Sequence, residues 1–281
     1  MYLCSGADAT GLSAGAATSN EVFVTPMCTV VILRRPRHDW PLLFAANRNE
    51  MADRPWLPPG RHWPDRPRVV AGRDGLAGGT WLGLSDLGLI AGVLNRPGSL
   101  GPAPGVRSRG ELPLEALEHA GAADAAAALT HVDPTSYRTF NLVIADAADA
   151  FWVRSGDDGG AGGKARVTAT PIPEGLSMIT AHDMNDDASS RIHRYRPLFE
   201  AAPIPDPARG DWSAWQALMA SRDTDPGAGP EGAMTIVTGS GFGTVSSSLI
   251  ALPRPGRDGV EPRFLFAPGR PDRVAYAAVS P

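Results

Sequence analysis

The order of apolar patterns along this chain restricts its fold more than any single residue does. Strand-like runs come in blocks separated by pairs of helix-like stretches, and do not alternate with helices one for one. "CTVVIL" and "LLFAANR" read as the two arms of a hairpin, and "GGTWLGLSDLGLIAGVLNR" as a second hairpin turning at "SDLG". "ELPLEALEHA" and "AADAAAALTHV" are rich in the residues that favour helix. Strands then return in "FNLVIADAADAFWVRS", "ARVTATPI" and "LSMITAH", followed by helical "SSRIHRYRPLFEAA" and "DWSAWQALMAS". The last block, "AMTIVTG", "TVSSSLIAL", "RFLFAPG" and "VAYAAV", is strand-like again. This blockwise order predicts an α+β layered fold rather than a chain of β-α-β units. "RPWLPPGRHWPDRP" is expected to be an irregular surface loop carrying Trp56 and Trp63, because each proline lacks an N–H and fixes φ.

Residues 1–26 are dominated by Ala, Gly, Ser and Thr and carry too little bulky apolar surface to offset the entropy of ordering them. They read as a tail, a leader or a misassigned start, and residues 27–281 as one domain. No continuous apolar h-region stands among them, and no stretch approaches the roughly 18 residues of a membrane span. A formal net charge of −4 gives no electrostatic case for nucleic acid. With two cysteines, Cys4 and Cys28, there is no disulfide framework, and a reducing, cytoplasmic setting is expected.

Cys28 directly follows Met27 and precedes the β-branched run. An isolated cysteine is usually packing. If the chain starts at Met27 and the methionine is trimmed, however, Cys28 carries both a thiol and a free α-amine. That amine titrates near 7.7–8.0, against about 10.4 for a lysine, and can serve as base for its own thiol. With a peptide still attached, the nitrogen is an amide and the chemistry is lost.

In "AANRNE", strand alternation puts Asn47 and Asn49 on one face and Arg48 and Glu50 on the other. Arg48 is either half of a local surface pair with Glu50 or, through the hairpin, a neighbour of Cys28 that stabilises a thiolate or holds a carboxylate. Asn95 ends an apolar strand and could donate to an oxyanion, though on pattern alone it is a turn-entry residue. No histidine pair has metal-ligand spacing, and neither a GxSxG elbow nor a phosphate-binding glycine loop is present. "TAHDMNDD" gathers His182, Asp183 and Asp186, an Asx-rich stretch of the kind that caps a following helix.

Taken together and in order, "MCTVVIL", "PLLFAANRNE", "AGRDGLAGGTWLG", "GLIAGVLNRPG", "SRGEL" and "GTVSSSLIAL" resemble the NRDE family, also called the transport-and-Golgi-organization family. Its name-giving tetrapeptide is "NRNE" here, with Asn49 in place of the aspartate. The resemblance implies a protein that starts Met-Cys and a four-layer αββα sandwich of the N-terminal-nucleophile hydrolase type, similar to the cysteine-nucleophile bile-salt and penicillin V acylases. It implies Cys28 as nucleophile, Arg48 as its activating or substrate-orienting partner, and Asn95 as oxyanion donor. Asn47, Asn49, Trp81 and His182 are then expected substrate contacts, His182 standing where those acylases carry a second asparagine. Two functions follow as expectations. One is hydrolysis of the C–N bond of a small acyl-amide through a thioester on Cys28, needing no cofactor or metal. The other is a non-catalytic carrier of haem or an acyl-lipid on the same fold, drawing on Trp56, Trp63 and the many arginines.

Overall fold

The computed structural model of the protein describes residues 28–99, 101, 103–157, 165–257 and 259–280. The expected tail, Cys4 and Met27 lie outside them.

Two antiparallel sheets stack face to face. The first contains β1 (Thr29–Arg34), β2 (Leu42–Met51), β10 (Gly175–Ile179), β11 (Phe242–Leu252), β12 (Arg263–Ala267) and β13 (Ala277–Ala278), in the order β10-β1-β2-β11-β12-β13. The second runs β3 (Trp56–Gly60), β4 (Val69–Asp74), β5 (Leu82–Ser85), β6 (Ile90–Asn95), β7 (Phe140–Ala145), β8 (Ala150–Asp157) and β9 (Ala165–Pro171) in sequence order. Helices α1 (Glu111–Ala116) and α2 (Ala122–Leu129) cover the outer face of the second sheet, and α3 (Ser190–Ala201) and α4 (Ser213–Ala220) that of the first. The result is the expected αββα sandwich.

Three apolar layers follow, and strand alternation explains why the central strands read as unbroken apolar runs. In β1, Val30 and Ile32 enter the layer between the sheets, while Val31 and Leu33 pack under α3 and α4. In β7, Val143 and Ala145 face between the sheets, and Leu142 and Ile144 face α1 and α2. A strand with both faces covered has no position for a polar residue unless that residue is bonded. One such residue is Asn141 of β7, fully buried, whose Nδ2 donates to the carbonyls of Thr180 (2.8 Å) and His182 (2.9 Å). Its Oδ1 accepts from Arg96 (2.7 Å) and Trp152 (3.1 Å). It thus ties the second sheet to the chain leaving β10.

Some strand expectations need correction. The proline-rich stretch contains a strand, β3, at the sheet edge, where only one side must pair; its register slips between Leu57 and Gly60, at the two prolines. β4 was hidden among glycines that look like turns. "AMTIVTG" is no ladder strand: it forms a single bridge, Val237 to Gly243, and the Ile236 N–H is taken by Thr244 Oγ1 (2.8 Å). "VAYAAV" contributes only the two residues of β13.

Candidate active site

Cys28 stands immediately before β1, and the register that pairs Thr29 with Asn47 brings it beside Arg48 and Asn49 on β2. The Asn49 N–H donates to Cys28 Sγ (3.5 Å), and the thiol donates to the Asn49 carbonyl (3.8 Å). Although the residue keeps partial exposure, loss of solvent around the sulfur dominates and pushes its pKa up. The Asn49 N–H and the Arg48 guanidinium pull the other way but do not outweigh it.

Arg48 is 5% exposed and shares the inter-sheet face with Glu50. Its guanidinium lies over the Trp81 ring, 4.1 Å from the centroid, and its Nη2 lies 3.5 Å from Asp74 and 3.8 Å from Glu50. Asp74 is held in turn by both arms of Arg54 (2.7 and 3.1 Å) and by the N–H groups of Leu76 and Ala77. Burial alone would raise the Asp74 pKa, but the Arg54 hydrogen bond and the two backbone donors bring it below the usual range. Arg48 Nη1 is buried with no hydrogen-bond partner among the described residues. Burial lowers the Arg48 pKa, with Cys28, Glu50 and Asp74 opposing.

Cys28, Arg48 and Trp81 line two adjoining cavities. The inner one, about 20 Å³, closes between the sheets and has room for about one water-sized centre. Ser246 of β11 borders it, opposite Arg48 in the sheet register, and its hydroxyl also has no partner among the described residues. The outer cavity, about 440 Å³, opens past Glu50 and Asn95 and is large enough for a small organic ligand. Asn95 ends β6 in its wall, and its side-chain amide makes no hydrogen bond to the described residues.

The structure therefore brings Cys28, Arg48, Asn95 and Trp81 together. Asn47 also borders the inner cavity and Asn49 the outer one, but their side-chain amides are bonded on the other face of the sheet. Asn47 turns to the helix face of its sheet, 1% exposed, and its Nδ2 donates to the carbonyls of Met219 (3.0 Å) and Met234 (2.9 Å). The Asn49 side chain shares that face and accepts from Thr244 Oγ1 (2.6 Å), while its backbone N–H and carbonyl bond Cys28. His182 lines neither cavity; its ring lies 3.9 Å from Asp186, and its carbonyl is bound by Asn141. The Asx-rich stretch leads into α3, where Ser189 is the N-cap. Trp56 packs edge-on against Trp81 and Phe266, and Trp63 donates its indole N–H to the Gly78 carbonyl (3.1 Å), so both aromatics are engaged internally.

Three residues near the site escaped sequence reasoning. Asp74 sits in a stretch that reads as a glycine turn. Arg191 of α3 is fully buried and donates to Thr29 Oγ1, next to Cys28, and to the Glu231 carbonyl (2.6 Å). Burial lowers its pKa to about 10, still high enough to stay charged at neutral pH. Arg109 lines the outer cavity; its "SRGEL" motif was legible, but in so arginine-rich a chain its role was not. Among the described residues no three His, Cys, Asp or Glu side chains group as a metal site, and no helix is long and apolar enough to cross a membrane.

The architecture is shared with a known amidase. The Caenorhabditis elegans ortholog of N-acylethanolamine-hydrolyzing acid amidase superposes with a TM-score of 0.52 at 10% identity, covering 82% of this chain and 94% of that one. Penicillin V acylase from Agrobacterium tumefaciens gives 0.47 at 14% identity, with 86% and 83% covered. A variant of conjugated bile acid hydrolase from Clostridium perfringens gives 0.49 at 14% identity, with 89% and 92% covered. At such identities the likeness is one of fold, the N-terminal-nucleophile hydrolase fold. A comparison with curated protein sequences finds no match. The sequence profile described as Transport and Golgi organisation 2 matches residues 27–201, more than half of the chain, and the protein belongs to that family.

Proposed function

We propose that the protein is a cysteine N-terminal-nucleophile amidohydrolase that cleaves a small acyl-amide, maturing by removal of everything before Cys28. The supporting observation is Arg48, held by Trp81 and Asp74 at the rim where Cys28 meets the outer cavity, whose buried Nη1 has no hydrogen-bond partner among the described residues. A thiol whose pKa is raised by burial needs a base, and no histidine lines either cavity. The α-amine of a freed Cys28 is that base.

In the proposed reaction the amine takes the thiol proton as sulfur attacks the amide carbonyl. The tetrahedral oxyanion is met by the Asn95 amide and by Arg48. Collapse returns the proton from the ammonium to the leaving amine and leaves a thioester on Cys28. Water, deprotonated by the same amine, then attacks the thioester, and the thiol is restored with release of the carboxylic acid.

The test is intact mass and N-terminal sequencing of the protein expressed from the whole reading frame, then rapid quenching with an activated acyl anilide. The expected result is a chain beginning at Cys28 that gains one acyl mass on that residue, and no gain in C28A. A folded mature chain that retains residues before Cys28 and never acylates sinks the hydrolase. The carrier of haem or acyl-lipid is then the reading to pursue, by looking for a Soret band on adding haem.

A further inference from the structure

The outer cavity is strongly basic although the chain as a whole is acidic: five arginines line it against two carboxylates, while the net charge is −4. Three of the arginines already have acidic partners. Arg48 and Arg54 share Asp74 and Glu50, and Arg107 is bound through two nitrogens to Glu111 (2.8 and 2.5 Å). Arg109 differs. Its Nη1 donates to Ser99 Oγ (2.7 Å) and to the Thr139 carbonyl (2.9 Å), both neutral, and among the described residues it makes no ion pair. Arg138 lies close enough to repel it, adding to burial in lowering the Arg109 pKa to about 10.

A guanidinium partly withdrawn from water, bonded to neutral acceptors and with a second guanidinium near it, is costly. The arrangement is also what recognition of a planar oxyanion uses, since one arm of Arg109 is fixed by the fold and the remaining N–H groups stay available. A basic cavity in an otherwise acidic molecule concentrates anions at its mouth.

We propose that Arg109, with Arg138 beside it, binds an anionic group of the substrate, so that the cavity takes acyl-amides bearing a carboxylate or an equivalent oxyanion away from the scissile bond. This substrate class rests on the hydrolase reading, but the anion site can be tested without turnover. Binding is measured by calorimetry on C28A protein trimmed to begin at residue 28, with N-decanoylglycine and with its uncharged counterpart, N-decanoylglycinamide. The acid is expected to bind at least tenfold more tightly, with the difference shrinking as salt rises and vanishing in R109Q. R109K is expected to recover part of it.

Equal affinity of the two probes, or discrimination that survives unchanged in R109Q, overturns the anion site. Failure of both probes to bind at millimolar concentration overturns it as well. Because the acyl-anilide used above is uncharged, labelling of Cys28 with no preference for the acid removes this inference and leaves the hydrolase standing. Preference for the acid without any acyl-enzyme does the reverse. In R138Q, which leaves Arg109 held by Ser99 and Thr139, a smaller loss of discrimination is expected than in R109Q.

Discussion

Arg48 is the residue on which the arrangement around Cys28 turns, because its charge is buried and its three neighbours are of different kinds. Trp81 supplies a face, while Asp74 and Glu50 supply charge. R48L keeps the volume and removes the cation. Under the proposed reaction it is expected to lower kcat/KM about 100-fold, equivalent to ~2.7 kcal/mol of transition-state stabilisation. The same substitution should move the pH midpoint of iodoacetamide labelling at Cys28 further upward, since Arg48 is one of the influences holding it down. A midpoint that stays put would show that Arg48 does not act on the thiol. At this scale strand alternation made much legible: it put Arg48 and Glu50 on one face and Asn47 and Asn49 on the other, as found. It could not say which face carries the cavity. That depends on how two sheets stack, and so Asn47 and Asn49, expected among the substrate contacts, have side chains committed to the helix side.

Elements were legible where their periodicity is locally strong and obscure where tertiary contacts decide. The hairpin β1–β2 follows from its apolar runs, whereas β3 exists because β4 lies beside it. Gly72 on β4 shows why glycine there is not a turn signal. A Cβ at that position would stand 2.3 Å from the Trp81 ring, so the strand must be bare for Trp81 to lie across it and under Arg48. G72A is expected to cost about 1–3 kcal/mol through overpacking, a loss of several degrees in Tm by thermal unfolding, and to weaken activity by displacing Trp81. Asn141 carries a comparable burden between the sheets. N141L removes both of its donors and its acceptor, stranding two carbonyls and an indole and taking one partner from Arg96, which keeps Asp183, and should cost about 3–5 kcal/mol in urea unfolding. A loss under 1 kcal/mol would mean that the sheets do not depend on this link.

For the whole molecule, stability should form a plateau bounded by groups of opposite type. The folded Asp74 pKa is depressed, so its contribution is present above the unfolded value near 3.9 and is lost as pH falls through the folded value. Tyr276 behaves oppositely. Burial outweighs its hydrogen bond with Ser247 (2.6 Å) and raises its pKa, so its contribution holds below about 10 and fades as pH rises beyond that. Cys28, also raised, adds to the alkaline loss from about 8.5 upward. Denaturant midpoints measured from pH 3 to 11 should therefore decline on both sides, and Y276F should flatten the alkaline decline. An unchanged alkaline limb in Y276F would assign it to other groups.

The seating of β2 between β1 and β11 also has a consequence in time. Ser247 reaches back to the Ala46 carbonyl across 201 positions of sequence. On a ribosome adding about 5–20 residues per second, the partner of this central strand arrives roughly 10–40 s after the strand itself. Throughout that interval β2 presents a bare apolar edge of the kind that recruits other chains, and Cys28 lies beside it without its finished surroundings. Profile similarity ends at residue 201, ahead of β11, so a fragment cut there would hold that half-built state permanently. Newborn chains of this protein should depend on ribosome-associated chaperones in proportion to that delay.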